Sequence, residues 1–246
     1  MSAFQLALLA SILISLISLS GGSLLIWGKL FAGGLSAYLV SFAAGVMLTV
    51  AFFDLFPEAQ AQVQDGNIFI AAFLGMVTFF FLERFLLWFH HHDEPHGTKP
   101  AAVLIIVGDG VHNLLDGIVI ATTFIANPAV GLLATVAVAA HEIPQEIADF
   151  SALVGLGMRR GKALFFNFLS AITAILGTFL TFVFFDIVET NLSPLLAFTA
   201  GMFIYIAASD LIPALHLDFE KRRNWAQTIP FVLGILIIAA MTTYVK

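Results

Sequence analysis

Two short stretches of this chain bring together side chains that bind metal ions. The two triads share the spacing i, i+1, i+4 and consist of His112, Asn113 and Asp116 in the first and of His141, Glu142 and Gln145 in the second. On a helix each residue advances by about 100°, so the members of one triad lie within about a 100° arc of a single face. Imidazole nitrogens suit zinc, iron and nickel ions, and carboxylate oxygens suit harder divalent cations. Two such faces, opposed to each other, would enclose a divalent metal ion.

Further acids flank the triads: Asp109 precedes the first, and Glu146 and Asp149 follow the second. An ionisable side chain at the centre of a bilayer costs about 2.5–3.5 kcal/mol, and a bound cation would offset that cost. Pro144 removes one helical N–H and frees the carbonyl of Ala140, which predicts a kink beside the second triad. The alternative is a polar network that joins two helices without an ion. The matched spacing of the triads favours the metal site.

The composition excludes several classes of protein. Of the 246 residues 60% are hydrophobic and 11% are charged, and the mean hydropathy is +1.01, whereas about a quarter of the residues in a soluble domain are charged. The chain has no cysteine, which excludes a disulfide scaffold, a thiolate zinc site and an iron–sulfur cluster. A net charge of −6 argues against a nucleic-acid partner. These values predict a protein that lies in the lipid bilayer.

Long uncharged stretches predict the helices that position the triads. A helix needs about 20 apolar residues to cross the hydrocarbon core. Seven stretches of 17 or more residues contain no Asp, Glu, Lys, Arg or His, namely 1–28, 30–53, 66–82, 117–140, 163–185, 190–209 and 224–245. The predicted spans are 3–27, 32–56, 67–89, 101–125, 130–156, 163–187, 194–216 and 226–245. The expected fold is therefore an all-α polytopic membrane protein with eight transmembrane helices in one domain, 1–246, and the triads lie in spans four and five.

The basic residues predict the orientation. With eight spans, nine of the ten Lys and Arg residues fall on one side of the membrane: Lys29, Arg84, Lys99, Arg159, Arg160, Lys162, Lys221, Arg222 and Arg223. Because basic loops face the cytoplasm, both termini should lie outside. The loop 90–100 is then cytoplasmic and carries four histidines, His90, His91, His92 and His96. Such a tract is typical of metal binding. It is either a cytosolic metal sink or sensor, or a solvated loop without an essential role.

Spans two and seven resemble each other. Residues 42–57 and 198–213 share the frame F-x-A-G-x₈-D-L-x-P, with Asp54 and Asp210 at equal positions. Since the two spans cross in opposite directions, they predict an inverted repeat of the kind found in transporters, arranged as 3+2+3. Asp54 and Glu58 would then line an outer entrance, and Asp210 and His216 an inner exit. The alternative is a chance likeness between helices rich in small residues.

The motifs resemble those of the ZIP family of divalent-metal transporters. GDGVHNLLDG (108–117) is similar to the family's His-Asn-x-x-Asp signature, and HEIPQEIADF (141–150) is similar to its His-Glu-x-Pro-His-Glu signature. The DLFPEA and DLIPALH endings of spans two and seven also resemble the family's, and the likeness covers nearly the whole chain.

The resemblance implies a transport site between spans four and five, often with two adjacent metal positions. His112, Asp116 and His141 would serve the first position, and Asn113, Asp116 and Glu142 the second, with Gln145 between them. Gln145 stands where the commoner pattern has histidine, which favours a single well-occupied site or a broader choice of metal.

The expected function is secondary or facilitative movement of divalent transition-metal ions toward the cytoplasm, with Zn²⁺ first and Fe²⁺ or Mn²⁺ as alternatives. The metal is the substrate, and no cofactor is expected. The chain has no G-x-x-x-x-G-K-[ST] motif, so direct ATP drive is not expected. The rival function is an intramembrane metal-dependent hydrolase with Glu142 or Glu146 as general base, and export is the rival direction. The expected location is the plasma (inner) membrane, and a homodimer is left open.

Overall fold

The computed structural model describes residues 1–27, 35–63, 67–91, 98–223 and 225–245. Within these ranges the chain is helical and contains no strand. The α-helices are α1 (Ala3–Trp27), α2 (Leu35–Val50), α3 (Phe56–Ala61), α4 (Ile68–His91), α5 (Thr98–Ala126), α6 (Pro128–Gly155), α7 (Arg160–Val183), α8 (Phe185–Thr190), α9 (Leu192–Tyr205), α10 (Ile212–Arg222) and α11 (Thr228–Val245). The prediction of an all-α fold is confirmed for this part of the chain.

Five helical stretches among these residues are long and apolar enough to cross a membrane. They are Ala37–Ala61, Ile105–Ala126, Arg160–Val183, Leu192–Lys221 and Trp225–Tyr244, and Ala3–Ser18 forms a shorter apolar stretch. The second triad lies on α6, which also carries Glu146 and Asp149 and is therefore less apolar than these five. The count of eight spans remains a prediction.

Two predicted spans contain a π-helical turn at matching positions. The turns Ala51–Leu55 and Ile206–Leu211 separate α2 from α3 and α9 from α10. In each case the residue just before a proline, Phe56 or Ile212, donates its N–H five residues back instead of four. The proline ring would clash with the carbonyl four residues earlier, and the wider turn relieves that clash. Asp54 and Asp210, the repeated aspartates, both lie in these turns.

The sixth predicted span differs from the observed helix. The prediction gave 163–187, whereas α7 begins at Arg160 and ends at Val183, and a separate helix begins at Phe185. Phe184 lies between them with φ −101° and ψ 30°, outside the α-helical region, so the helix axis changes there. No Gly or Pro marks this break in the sequence.

Close helix contacts follow the repeat. A Cβ atom on Gly45 of α2 would overlap the Phe231 carbonyl of α11, and one on Gly201 of α9 would overlap the Ala72 carbonyl of α4. Gly45 and Gly201 occupy the same place in the repeated frame. Small residues let helix backbones approach closely in membranes. In both α2–α11 and α4–α9, the glycine of the repeated frame lies against a backbone carbonyl of the other helix.

The long helices group into two sets. One set contains α1, α5, α6 and α7, and the other contains α2, α4, α9 and α11, with the short helix α3 against α9. Two hydrogen bonds between helices lie within a set: the Ser11 and Thr178 hydroxyls join α1 to α7, and Ser193 donates to the Ala59 carbonyl between α9 and α3. The triads lie on α5 and α6, where the two sets meet through contacts such as α2–α6 and α5–α9.

Candidate metal centre

Four side chains from the two triads converge in the membrane interior. His112, Asp116, His141 and Glu142 each offer one ligand atom, and these atoms all lie within 4.8 Å of one another. The two Nε2 atoms of His112 and His141 are 3.1 Å apart, and Nε2 of His141 lies 3.3 Å from Oδ2 of Asp116. Oε1 of Glu142 lies 3.8 Å from Nε2 of His112 and 3.9 Å from that of His141. The structure thus places two nitrogens and two oxygens around one point.

The helices explain this convergence. His112 and Asp116 are one turn apart on α5, so both project from one face, and the neighbours His141 and Glu142 occupy the facing side of α6. His141, Asp116 and Glu142 are buried, and the His112 side chain is 14% exposed. Phe79 of α4 and Phe203 of α9 approach the two imidazoles edge-on, with centroid distances of 5.9 and 6.4 Å. Each imidazole of the cluster is thus packed against one aromatic ring from the neighbouring helices.

Three of the four carboxylate oxygens in this cluster have no hydrogen-bond partner among the described residues. They are both oxygens of Asp116 and Oε1 of Glu142, and all three are buried. A buried carboxylate is expected to be paired, hydrogen-bonded or bound to a metal. Two imidazole nitrogens and two carboxylate oxygens form a donor set that suits tetrahedral Zn²⁺. The four side chains are therefore chemically suited to bind a divalent cation.

A backbone contact orients one imidazole. Nδ1 of His141 lies 3.1 Å from the carbonyl oxygen of Ala137, one turn earlier on α6. With the proton on Nδ1, that nitrogen donates to Ala137 and Nε2 keeps a lone pair toward the cluster. Metal-binding histidines usually use their second nitrogen in this way.

The two amides of the triads lie beside the cluster. Asn113 is buried, and its Nδ2 donates to Oδ1 of Asp109 at 2.9 Å, while its Oδ1 has no partner among the described residues. Gln145 lines the same cavity as His112 and His141. The role of both amides as metal ligands remains a prediction.

A second polar layer links α5 and α6 to α7. Ser170 donates to Oδ2 of Asp109, and Asn167 donates to Oε2 of Glu146 at 2.6 Å. The sequence prediction named Asp109 and Glu146 but missed both α7 partners. Their signal was weak, because single Ser and Asn residues in an apolar helix are common at helix contacts.

A cavity of about 430 Å³ leads away from the cluster. It is lined by His112 and His141 at one end and also by Glu83, Asp149 and Asp210. The Tyr205 hydroxyl, also in its wall, donates to Oε2 of Glu83 at 2.5 Å. Asp210, predicted at the exit, is thus in one cavity with the cluster.

The other predicted path residues lie elsewhere. Asp54 is fully buried and accepts a hydrogen bond of 2.9 Å from Thr242 of α11. Glu58 is half-buried and accepts from the Gln62 amide at 2.8 Å. His216 is exposed and lines a different cavity, of about 350 Å³, together with Gln227 and Trp225.

The predicted histidine loop falls largely beyond the structural description. Its first two histidines, His90 and His91, belong to the end of α4, and Thr98 begins α5. His92 and His96 lie outside the described residues. The metal-sink interpretation therefore stays a prediction.

Known proteins match this chain along most of its length. The family model described as ZIP Zinc transporter matches residues 4–100 and 89–242. The chain belongs to the ZIP zinc transporter family. Zinc transporter ZIP13 of Pongo abelii is 28% identical over 222 residues, which cover 84% of this chain and 67% of the relative.

Two further relatives show how coverage varies. Zinc transporter YKE4 of Saccharomyces cerevisiae is 29% identical over 241 residues, covering 82% of this chain and 70% of the relative. Zinc transporter ZIP10 of Danio rerio is 38% identical over 129 residues, covering 52% of this chain but only 15% of the relative. The chain thus spans a small part of some ZIP relatives and about two thirds of others. As a ZIP family member with membrane-crossing helices, it is an integral membrane protein.

Proposed function

We propose that this ZIP family protein moves divalent transition-metal ions, Zn²⁺ first, across the membrane toward the cytoplasm. Fe²⁺ and Mn²⁺ are the other candidate substrates. The observation that carries the proposal is the buried cluster of His112, Asp116, His141 and Glu142, in which three carboxylate oxygens lack hydrogen-bond partners among the described residues. A passing cation would exchange its water for these four side chains.

The donor set fits reversible binding of a cation. Imidazole and carboxylate groups bind Zn²⁺ well, but transport also requires that the ion is released. A single site with four protein ligands allows release, because a cavity adjoins it. The amides of Asn113 and Gln145 lie next to the cluster, where they would serve a second position or help an ion leave. Two positions that share Asp116 remain part of the proposal.

We assign the chain the eight-span, 3+2+3 arrangement, with 1–246 as one domain. The reciprocal contacts of Gly45 with α11 and of Gly201 with α4 support it, because an inverted repeat would exchange α2 with α9 and α4 with α11. The matched π-helical turns around Asp54 and Asp210 support the same exchange. The distribution of the basic residues supports an orientation with both termini outside and 90–100 on the cytoplasmic side, and we assign the chain to the plasma (inner) membrane.

The exit would run through the cavity that joins the cluster to Asp149, Glu83 and Asp210. Its carboxylates would attract a cation that leaves the centre. The entrance would pass Asp54 and Glu58 on the opposite side. Because Asp54 is buried against Thr242, that side must open before an ion can enter, as alternating access requires.

The rival hydrolase is not supported by the comparisons, because the family is described as zinc transporters and the matching proteins carry that name.

The direction of transport needs a separate measurement. Metal loaded on one side of oriented vesicles would distinguish uptake from export.

Uptake of radioactive ⁶⁵Zn²⁺ into proteoliposomes tests the proposal. Wild type should accumulate zinc without ATP, and the double variant His112→Ala, His141→Ala should lose the flux because both nitrogen ligands are gone. Thr123→Ala is the matched control, since Thr123 is also buried on α5 but donates only to carbonyls of its own helix. Zinc uptake that persists in the double variant would show that His112 and His141 are not the metal ligands.

A further inference from the structure

The two oxygens of the Glu142 carboxylate have different surroundings. Oε1 faces the imidazoles of His112 and His141 and has no hydrogen-bond partner in the described part of the chain. Oε2 accepts a hydrogen bond of 2.9 Å from the hydroxyl of Ser18. One oxygen is thus turned toward the cluster, and the other is held by a side chain from α1.

Ser18 is well placed for a fixed contact. It is fully buried, as is Glu142, and its hydroxyl comes from a helix that contributes no ionisable residue. Two other buried serines on α1 do something else: Ser11 shares a hydrogen bond with Thr178, and Ser15 donates to the carbonyls of Ser11 and Ala171. These two join helices to each other, whereas Ser18 donates to a carboxylate of the candidate centre.

We propose that Ser18 is a positioning residue that holds the Glu142 carboxylate so that only Oε1 reaches the metal ion, and that it thereby favours four-coordinate Zn²⁺ over cations that take more ligands. The inference rests on the proposed metal site and adds to it a determinant of substrate choice. A carboxylate freed from Ser18 can turn and offer both oxygens.

The coordination preferences of the ions give this contact its effect. Zn²⁺ in protein sites is commonly four-coordinate, and the cluster offers four atoms with Glu142 contributing one. Mn²⁺ favours octahedral oxygen-rich surroundings. A second oxygen from Glu142 would therefore help Mn²⁺ more than Zn²⁺. Partners that orient metal ligands typically change metal affinity by about 10–100-fold when they are removed.

The test compares metal binding and transport in Ser18→Ala with wild type. Purified protein is titrated with Co²⁺, whose visible absorption is strong in four-coordinate sites and weak in sites of higher coordination. Wild type should show the strong bands, displaced by Zn²⁺, and Ser18→Ala should show weaker bands and about tenfold lower Zn²⁺ affinity. In proteoliposomes the ratio of Mn²⁺ to Zn²⁺ uptake should rise in the variant.

Two further substitutions separate positioning from folding. Ser18→Thr keeps the hydroxyl and should restore the wild-type spectrum. Ser18→Val matches threonine in shape but has no hydroxyl and no group that binds metal, so it should shift the spectrum in the same direction as alanine even if Ser18→Ala does not fold. Ser15→Ala is the matched control from the same helix face and should leave the spectrum unchanged.

The outcomes are distinguishable. If wild type binds Co²⁺ with Zn²⁺-displaceable bands and both the alanine and valine variants keep those bands, the role of Ser18 is overturned while the metal site stands. If Ser15→Ala alters the bands as much as Ser18→Ala does, the effect comes from helix packing and the inference is also overturned. If wild type shows no displaceable bands, the metal site fails and Ser18 loses its role with it.

Discussion

At the scale of residues, neighbouring side chains of similar chemistry have different surroundings. Glu142 and Glu146, one turn apart on α6, each accept a hydrogen bond through Oε2, from Ser18 and from Asn167 respectively, and each leave Oε1 without a partner in the described chain. Oε1 of Glu142 faces the two imidazoles of the cluster. The i, i+1, i+4 spacing in the sequence was enough to predict that His112 and Asp116 share one face of a helix and that His141 and Glu142 share one face of the next helix. It could not predict the partners from α1 and α7, because these come from residues far away in the chain.

Gln145 is the position at which this chain differs from the commoner ZIP signature, and Gln145→His should strengthen the preference for zinc. An imidazole binds Zn²⁺ better than a neutral amide does, and Gln145 lines the cavity beside His112 and His141. We expect Zn²⁺ to be favoured over Mn²⁺ by about tenfold more than in wild type, which corresponds to about 1.4 kcal/mol. Competition of Mn²⁺ against ⁶⁵Zn²⁺ uptake measures this preference.

The control for that substitution is Gln5→His, since Gln5 lies near the N-terminus and bonds only locally with Ser2. It should leave the competition unchanged. An unaltered order of metal preference in Gln145→His would remove Gln145 as a determinant of selectivity.

At the scale of elements, glycines and prolines determine how the helices fit together. Pro57 and Pro213 each follow a π-helical turn that holds a repeated aspartate, so the repeat extends from sequence to backbone. Between α5 and α7 the backbones are close enough that a Cβ on Gly177 would overlap the Leu114 carbonyl. The positions of Gly and Pro are visible in the sequence, but which carbonyl each one faces is not.

Gly177→Ala should destabilise the protein. The added methyl group must push α5 away from α7, and overpacking of this kind typically costs about 1–3 kcal/mol. The thermal midpoint of the detergent-solubilised protein should therefore fall. Gly161→Ala is the control on the same helix, because nothing lies within 4 Å of a Cβ built there. Equal midpoints for the two variants would contradict the close contact.

Thr242→Val should also lower stability, since it removes the hydroxyl that donates to Oδ2 of buried Asp54 at 2.9 Å. Loss of a donor to a buried polar atom costs about 1–3 kcal/mol. Thr243→Val serves as the comparison, because Thr243 is exposed and bonds only to the Ala239 carbonyl of its own helix. The same thermal measurement applies, and a loss of similar size in both variants would argue against a role for the Asp54 contact.

At the scale of the whole molecule, the contacts divide the long helices differently from the expected repeat units. In a 3+2+3 arrangement the simplest expectation is that spans four and five move against the other six. In the structure α5 is tied to α7 by Thr173, which donates to the Gly110 carbonyl at 2.6 Å, and by Thr178, which donates to the Gly117 carbonyl at 3.1 Å. Ser18 ties α6 to α1 in the same way. The set α1, α5, α6 and α7 is therefore the unit that we expect to move as one body.

A disulfide between α5 and α7 tests this division. A Cβ on Gly110 would lie 3.9 Å from the Cβ of Ser170 on α7, which suits the Cβ separation of a disulfide. The chain has no native cysteine, so Gly110→Cys with Ser170→Cys forms a single defined link. Oxidised protein should transport Zn²⁺ at the rate of the reduced protein, because both helices belong to one unit.

The reduced double variant and each single cysteine variant provide the controls. Transport that stops on oxidation and returns on reduction would show that α5 moves relative to α7, as the original 3+2+3 expectation suggested. That result would mean that the moving unit consists of α5 and α6 alone and does not include α1 and α7.

The sequence by itself determined the family, the helical class, the two triads proposed to bind metal and the repeat around Asp54 and Asp210. These features depend on local properties, namely hydrophobicity along a helix and spacing on one face, which neighbouring residues fix. Only the tertiary structure showed that Thr242 donates a hydrogen bond to buried Asp54 and that Ser18 donates one to Glu142. It also showed that His216 lines a separate cavity. Each of these contacts joins segments that are far apart in the chain, and their formation depends on how whole helices pack.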